Sequence, residues 1–128
     1  MKTSLTVVLR HKIKQFNKSI NVDPDKSLSI RSFLIGSISQ GISTASNILE
    51  SEDVKNTITV CKKLGVKIKK IKPKIYRIYG NGLGSLYLKK QTELNFGNSG
   101  TASRLMIGIL STTPNIQLWI KGYHSLNI

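Results

Sequence analysis

The stretch GNSGTASR at residues 97–104 joins a predicted strand to a predicted helix through a turn of small residues. Gly97 and Gly100 let a ligand approach the backbone closely, and the amide groups at a helix start point toward an anion. The stretch lacks both the Gly-Lys-Ser/Thr ending of a nucleotide P-loop and the spacing of a dinucleotide fingerprint. Two interpretations therefore stay open from these residues: an anion site, or a tight turn whose Ser or Thr caps a helix.

The run DKSLSIR at residues 25–31 is a second candidate anion site. Lys26 supplies a compact charge, and Ser27 supplies a hydroxyl and an amide at the start of a predicted helix. Arg31 follows Ser27 by one helical turn, so its guanidinium can reach the same side. An ordinary capped helix with exposed charges could have the same residues, but two such runs in one basic chain favour a functional interpretation.

The charge of the chain implies anionic partners, because 20 Lys and Arg stand against six Asp and Glu, a net charge of +14. Nucleic acid, small phosphorylated or carboxylated substrates, and a merely lysine-rich surface all fit that charge. The densest basic stretch, residues 62–74, holds seven lysines. Val66 and Ile68 alternate there with Lys67 and Lys69, which predicts a strand with one solvated lysine face. No nucleic-acid-binding module is recognisable around the tyrosines, so this partner is not expected.

The length of 128 residues with 39% hydrophobic residues indicates one compact domain or a piece of a larger one. The sequence has no apolar run of about 20 residues and no signal-peptide pattern, so we expect a cytoplasmic protein without a membrane partner. Cys61 is the single cysteine and cannot form an internal disulfide. It lies on the apolar side of a predicted helix, which favours a buried thiol over a nucleophile.

Hydrophobic periodicity predicts alternating strands and helices, and therefore an α/β or α+β architecture. A Ser51 cap followed by two acids starts one helix, whose apolar stripe is Val54, Ile58, Cys61 and Leu64. The other predicted helices are 28–39, capped by Ser27, and 101–110, with Ala102, Leu105, Met106 and Ile109 facing inward. The predicted strands are 5–9, 13–20, 42–49, 66–71, 75–79, 94–96 and 116–120.

Taken together, these motifs resemble the EPSP synthase (3-phosphoshikimate 1-carboxyvinyltransferase) family. Its members have an Asp-Lys-Ser-x-Ser-x-Arg segment near the start and a Gly-Asn-Ser/Ala-Gly-Thr-x-x-Arg segment further along. This chain contains both in that order, at residues 25–31 and 97–104. Between them, LESEDV at residues 49–54 resembles the family's Leu-x-Ser-x-Asp-Val segment, and IKG at residues 120–122 precedes a Ser-Leu pair, as in many members.

The resemblance implies an enzyme that transfers the enolpyruvyl group of phosphoenolpyruvate to the 5-hydroxyl of shikimate 3-phosphate, a step toward chorismate and the aromatic amino acids. It implies no metal and no organic cofactor. The expected fold is part of an enolpyruvyl-transferase lobe built from βαβαββ units, an inverse α/β barrel. By the same resemblance, residues 1–20 belong with a second lobe, and residues 21–128 form roughly half of the first, N-terminal lobe.

The resemblance also assigns substrate contacts to residues of the two motifs, in a pocket that the herbicide glyphosate occupies in the family. These contacts are Lys26, Ser27 and Arg31 for shikimate 3-phosphate, Lys26 and Gly100 for phosphoenolpyruvate, and Asn98 and Thr101 as supports. It places no catalytic acid or base within this chain. We therefore expect an N-terminal fragment that is inactive alone, derived from an enzyme that works as a monomer.

The chain departs from the family pattern in three places. Asp23-Pro24 stands where Pro-Gly is usual, and Ile30 replaces a common histidine. The family continues from Ser-Leu-x into Lys-Arg-Pro, whereas this chain reads Ser125-Leu126-Asn127-Ile128. Two alternatives remain: an enolpyruvyl transferase acting on a nucleotide sugar, and a basic nucleic-acid-binding module. Ser27 disfavours the former, because the nucleotide-sugar enzymes generally have Lys-Asn where this chain has Lys26 and Ser27.

Overall fold

A computed structural model describes residues 6–8, 10, 17, 19–88 and 93–123 of the chain. These residues form a mixed α and β fold, which confirms the predicted class. The elements are α1 Lys26–Ile38, β1 Gln40–Ala45, α2 Glu52–Lys63, β2 Lys67–Lys72, β3 Ile75–Asn81, β4 Glu93–Asn95, α3 Gly100–Leu110 and β5 Trp119–Lys121. The strands expected at 5–9 and 13–20 lie mostly outside the described residues, and the described positions among them are in neither helix nor strand.

The main sheet has the strand order β1-β3-β2, with both pairs antiparallel. A tight turn at Lys74, whose φ is 59°, connects β2 to β3. Ile68 lies opposite Ile78, and both are buried on the inner face of the sheet. Lys67 and Lys69 are exposed on the outer face, so the predicted lysine face is confirmed.

Helix α1 packs closely against the inner face of β3. A Cβ on Gly36 would lie 2.9 Å from Ile78 Cδ1, and a Cβ on Gly80 would collide with the carbonyl oxygens of Gly36 and Ser39. Phe33 is fully buried, and its ring meets the Tyr76 ring edge to face with centroids 5.3 Å apart. The two glycines thus set how near the helix lies to the sheet.

Helix α2 confirms the predicted apolar stripe, since Val54, Ile58, Cys61 and Leu64 are all buried. Acids lie in its first turn and lysines in its last, which complements the helix dipole. Burial raises the pKa of the Cys61 thiol to about 11, so the thiol stays protonated at neutral pH. The cysteine is therefore a core residue, as predicted.

Strands β4 and β5 pair in parallel, and α3 is the crossover helix between them. Ala102, Met106 and Leu110 are buried at intervals of four residues along α3. The prediction that Leu105 faces inward is wrong, because its side chain is 38% exposed and lies beside this stripe.

The expected strand 42–49 ends early, at Ala45, shortly before Asn47 turns the backbone with a φ of 55°. The expected strand 116–120 is shorter and forms only at 119–121.

Part of the apolar surface is uncovered. On α1, Leu28 is 64% and Ile35 is 59% exposed, although the opposite side of the same helix is in the core. A helix that is apolar on both sides normally packs on both sides. In the described part of the chain, no helix has the length and hydrophobicity that a membrane span requires.

Candidate functional site

The first motif forms the start of α1, but not with the predicted cap. The helix begins at Lys26, and the Asp25 carboxylate accepts a hydrogen bond of 2.7 Å from the Leu28 N–H. Ser27 lies within the first turn, so the prediction that it caps the helix is wrong. Asp and Ser are similarly good caps, and the aspartate is the one that meets the free amide. The Ser29 hydroxyl accepts from the Leu49 N–H at 3.0 Å and ties α1 to the chain after β1.

The second motif forms the start of α3. Gly97 has a φ of 59°, and its N–H donates to the Asn95 side-chain oxygen at 2.8 Å. The Ser99 hydroxyl then caps the helix by accepting from the Ala102 N–H at 3.2 Å. Gly100 is the first residue of α3 and has helical backbone geometry. The capped turn is therefore present, and its amide groups still point out of the helix start.

The two motifs meet at an open cleft of about 420 Å³ between α1 and α3. Arg31 lines it from α1, while Gly100, Thr101, Arg104 and Leu105 line it from α3. No carboxylate is among these lining residues. Two guanidinium groups and a helix N-terminus together create a positive potential, which suits a phosphate or carboxylate ligand.

Not every predicted site residue lies at this cleft. Arg31, Gly100 and Thr101 line it, whereas Lys26, Ser27 and Asn98 are not among its lining residues. Arg104 was part of the motif but was not among the predicted substrate contacts, and it lines the cleft. The sequence signal for Arg104 was its position one helical turn after Gly100.

Lys26 instead forms an ion pair with Asp53 at the start of α2, with its ammonium nitrogen 3.0 Å from the carboxylate. A cation in the first turn of a helix is unfavourable, because the N-terminal end of the helix dipole is also positive. The Asp53 carboxylate offsets this repulsion and holds the Lys26 ammonium group near the start of α2. Half of the lysine side chain is exposed, so the pair contributes little to stability.

The first two turns of α2 also contact the second motif. No local pattern in the sequence predicted these contacts. The Tyr123 hydroxyl donates to the Glu52 carboxylate at 2.7 Å, and the Tyr123 N–H donates to the Gly97 carbonyl at 2.8 Å. The hydrogen bond to Glu52 and the charge of that carboxylate raise the pKa of Tyr123. A Cβ on Gly97 would collide with the Asn56 side-chain amide. Helix α2 therefore supports both motifs.

Within the described residues, no group of three or more His, Cys, Asp or Glu side chains could hold a metal ion. A different cleft, of about 310 Å³, is lined by residues 86–88 and 114–117, none of which is charged. The basic cleft between α1 and α3 is therefore the better candidate for an anionic ligand.

Comparisons with known proteins agree on one family. The family model described as EPSP synthase (3-phosphoshikimate 1-carboxyvinyltransferase) matches residues 10–127. A 3-phosphoshikimate 1-carboxyvinyltransferase of Leptospira interrogans is 39% identical over 115 residues, which cover 90% of this chain and 26% of that protein. The corresponding protein of Oceanobacillus iheyensis is 45% identical over 96 residues, covering 75% of this chain and 22% of that protein.

The solved structures lead to the same family. EPSP synthase from Acinetobacter baumannii superimposes with a TM-score of 0.74 at 34% identity, covering 84% of this chain and 24% of that chain. The chain thus spans about a quarter of the length of the relatives it matches. The match of the family model over nearly the whole sequence, together with these identities, shows that the chain belongs to the EPSP synthase family, whose members are transferases.

Proposed function

We propose that this chain contributes the anion-binding wall of an EPSP synthase, which holds shikimate 3-phosphate and phosphoenolpyruvate for transfer of the enolpyruvyl group. The observation that carries the proposal is the cleft that brings Arg31 of the first motif to Gly100, Thr101 and Arg104 of the second. The motifs are distant in sequence, yet their cationic groups and a helix N-terminus meet at one open surface. Family membership supports the substrate assignment.

In the proposed reaction, the 5-hydroxyl loses its proton as it attacks C2 of phosphoenolpyruvate, and the methylene carbon takes up a proton to become a methyl group. Phosphate then leaves the tetrahedral intermediate as the methyl group loses a proton, which restores the carbon–carbon double bond of the enolpyruvyl group. Two anions must be held side by side throughout. Arg31 and the start of α1 bind shikimate 3-phosphate, while Gly100 gives phosphoenolpyruvate close access to the start of α3. Fixed cations and amide dipoles assist such a reaction by positioning the reactants and stabilising developing charge.

Lys26 and Ser27 complete the proposed shikimate 3-phosphate contacts, with Asn98 and Thr101 as supports for the second turn. Lys26 also faces phosphoenolpyruvate in this proposal. Its ion pair with Asp53 keeps the ammonium group near the start of α1 before a ligand binds. Residues 21–128 are then part of the first lobe, residues 1–20 belong with a second lobe, and the acid and base groups come from polypeptide outside this chain.

Backbone amide resonances of the chain test the binding proposal directly. Titration with shikimate 3-phosphate should shift the amide signals of Arg31, Gly100 and Thr101 in a saturable way. Shikimate without its phosphate should shift them far less at the same concentration, and inorganic phosphate provides the second control. If shikimate 3-phosphate moves none of these three signals, the proposed role of the cleft is wrong.

An Arg31→Gln variant separates binding at the cleft from general attraction by a basic chain. Its affinity for shikimate 3-phosphate should fall by about ten-fold or more, since a charge-assisted hydrogen bond contributes about 1.5–3 kcal/mol. The matched control is Lys55→Gln, which removes one exposed cation from α2. Equal losses in the two variants would show that only net charge matters.

A further inference from the structure

The outer face of the three-stranded sheet has a group of cations that the cleft does not use. Lys67 and Lys69 of β2 and Arg77 of β3 point away from α1, since they alternate with the buried residues of their strands. Tyr79 and Ile42 lie on the same face, in one row with Lys67 across the strands. We call these five residues the basic sheet face.

The three cations lie close together without a compensating acid. Lys69 is the direct cross-strand partner of Arg77, and Lys67 is diagonal to Arg77. Like charges that face each other across strands are destabilising. None of the three is ion-paired with a carboxylate within the described residues, and the sequence has no Asp or Glu between Asp53 and Glu93. The arrangement suits an anion that bridges neighbouring cations.

We expect the basic sheet face to stay in water if more polypeptide packs on the chain. Burying three unpaired cations costs far more than packing against them can return. The uncovered side of α1 is different, because Leu28 and Ile35 favour burial. Further polypeptide should therefore cover α1 and leave the basic sheet face accessible.

The side chains of this face fit a partner that combines phosphates with flat rings. The Lys67 ammonium lies over the Tyr79 ring, 4.9 Å from the ring centre, and Tyr79 is partly buried, so a charge and the open part of an aromatic ring are presented together. Ile42 is 64% exposed and extends the apolar contact next to that ring. Single-stranded nucleic acids bind to surfaces of this kind, through phosphate contacts with cations and base stacking on aromatic rings.

We propose that the basic sheet face binds single-stranded nucleic acid, with phosphates on Lys67, Lys69 and Arg77 and a base against Tyr79. A membrane surface fits less well, because Ile42 is the only aliphatic side chain among the five residues. Since α1 covers the inner face of the sheet, this surface points away from the cleft between α1 and α3. The two proposals therefore succeed or fail independently.

Fluorescence anisotropy of a labelled single-stranded oligonucleotide of mixed sequence, measured over a series of salt concentrations, tests the proposal on the full chain. The triple variant Lys67→Gln, Lys69→Gln, Arg77→Gln should weaken binding at least ten-fold. The slope of log affinity against log salt should decrease by about 2, because each phosphate contact on a single strand contributes roughly 0.7. The control triple Lys55→Gln, Lys62→Gln, Lys63→Gln removes the same charge from α2 and should change affinity less than two-fold.

A Tyr79→Leu variant tests the stacking contact without changing charge. It should weaken binding about five-fold or more and leave the salt slope unchanged. Circular dichroism must show native helix content in each variant before its affinity is compared.

Three results would overturn the proposal. Equal losses in the two triple variants would indicate diffuse attraction by a basic chain. Unchanged affinity in the sheet triple would place the oligonucleotide elsewhere. Tighter binding to vesicles of phosphatidylserine and phosphatidylcholine than to the oligonucleotide, abolished by the sheet triple, would identify an anionic membrane as the partner.

Discussion

The two glycines of the second motif should respond in opposite ways to the same substitution. Gly97 has a φ of 59°, and a Cβ there would collide with the Asn56 amide. Gly100 is the first residue of α3, has helical geometry and lines the open cleft. We therefore expect Gly97→Ala to destabilise the fold and Gly100→Ala to leave it intact.

The size of the difference in the free energy of unfolding follows from the backbone conformation at the two glycines. An alanine in the left-handed region costs about 1–2 kcal/mol, before any displacement of Asn56 is counted. A glycine to alanine change in compatible geometry stabilises by about 0.4–1 kcal/mol, because it restricts the unfolded chain. The free energies of unfolding of the two variants should then differ by about 2 kcal/mol. For 128 residues, an unfolding entropy of about 2.1 cal/mol/K per residue makes such a gap about 7 °C in Tm.

Urea unfolding followed by circular dichroism measures this difference, and titration with phosphoenolpyruvate measures the functional effect. Gly100→Ala should fold at least as stably as the parent chain and yet bind phosphoenolpyruvate more weakly, because its methyl group occupies space at the cleft. If Gly100→Ala were as destabilised as Gly97→Ala, the conformational argument would be refuted. Unchanged phosphoenolpyruvate binding by a folded Gly100→Ala chain would refute the close-approach role of Gly100.

Three further predictions concern the core and its ionisable groups. Phe33→Ala should lower the free energy of unfolding by about 3–5 kcal/mol in urea titrations, since it removes a fully buried ring that contacts Tyr76; a loss below about 1 kcal/mol would contradict this packing. Hydrogen bonds from Lys70 and Tyr76 lower the pKa of Glu50 from 4.5 to about 2. Because the folded pKa is the lower one, this stabilisation is complete above pH 4.5 and is lost as pH falls toward 2. Glu50→Gln should therefore show a smaller loss of stability over that range, and parallel acid titrations of the two proteins would disprove the coupling. Burial raises the pKa of Cys61 to about 11, so a thiol reagent at neutral pH should label Cys61 only as fast as the chain opens; rapid labelling under native conditions would mean that the thiol is accessible.

The periodicity of apolar residues predicted the parts of the fold in which the buried side follows from residues close together in sequence. The stripe on α2 and the alternation of Ile68 with Lys69 repeat with the periods of a helix and a strand, so they identify the buried side directly. The start of α1 was less certain, because Asp25 and Ser27 are both good caps and only the chain geometry selects between them. The error at Leu105 has a similar origin, since several faces of an apolar helix fit a core equally well.

For the candidate site, the sequence identified the two motifs but not the tertiary contacts that hold them in place. The Tyr123 and Glu52 pair spans 71 residues along the chain, and no local pattern relates two residues so far apart. The ion pair of Lys26 with Asp53 likewise depends on how α1 and α2 pack. From the sequence, Glu52 and Asp53 are recognised only as acids at the start of a helix. The tertiary structure brings their partners, Tyr123 and Lys26, to them.

The contact between Gly36 and Gly80 is remote from the cleft, but it controls where Arg31 lies. Gly36 is five positions after Arg31 on α1, a separation of about 7.5 Å along a rigid helix. A side chain at Gly80 would push the carbonyl of Gly36 outward, and the helix would transmit that displacement to the guanidinium. A shift of about 1 Å in a positioning group can reduce the rate of a reaction about a hundred-fold. Gly80 is therefore a position where a variant could keep every residue that lines the cleft and still change the geometry of the cleft.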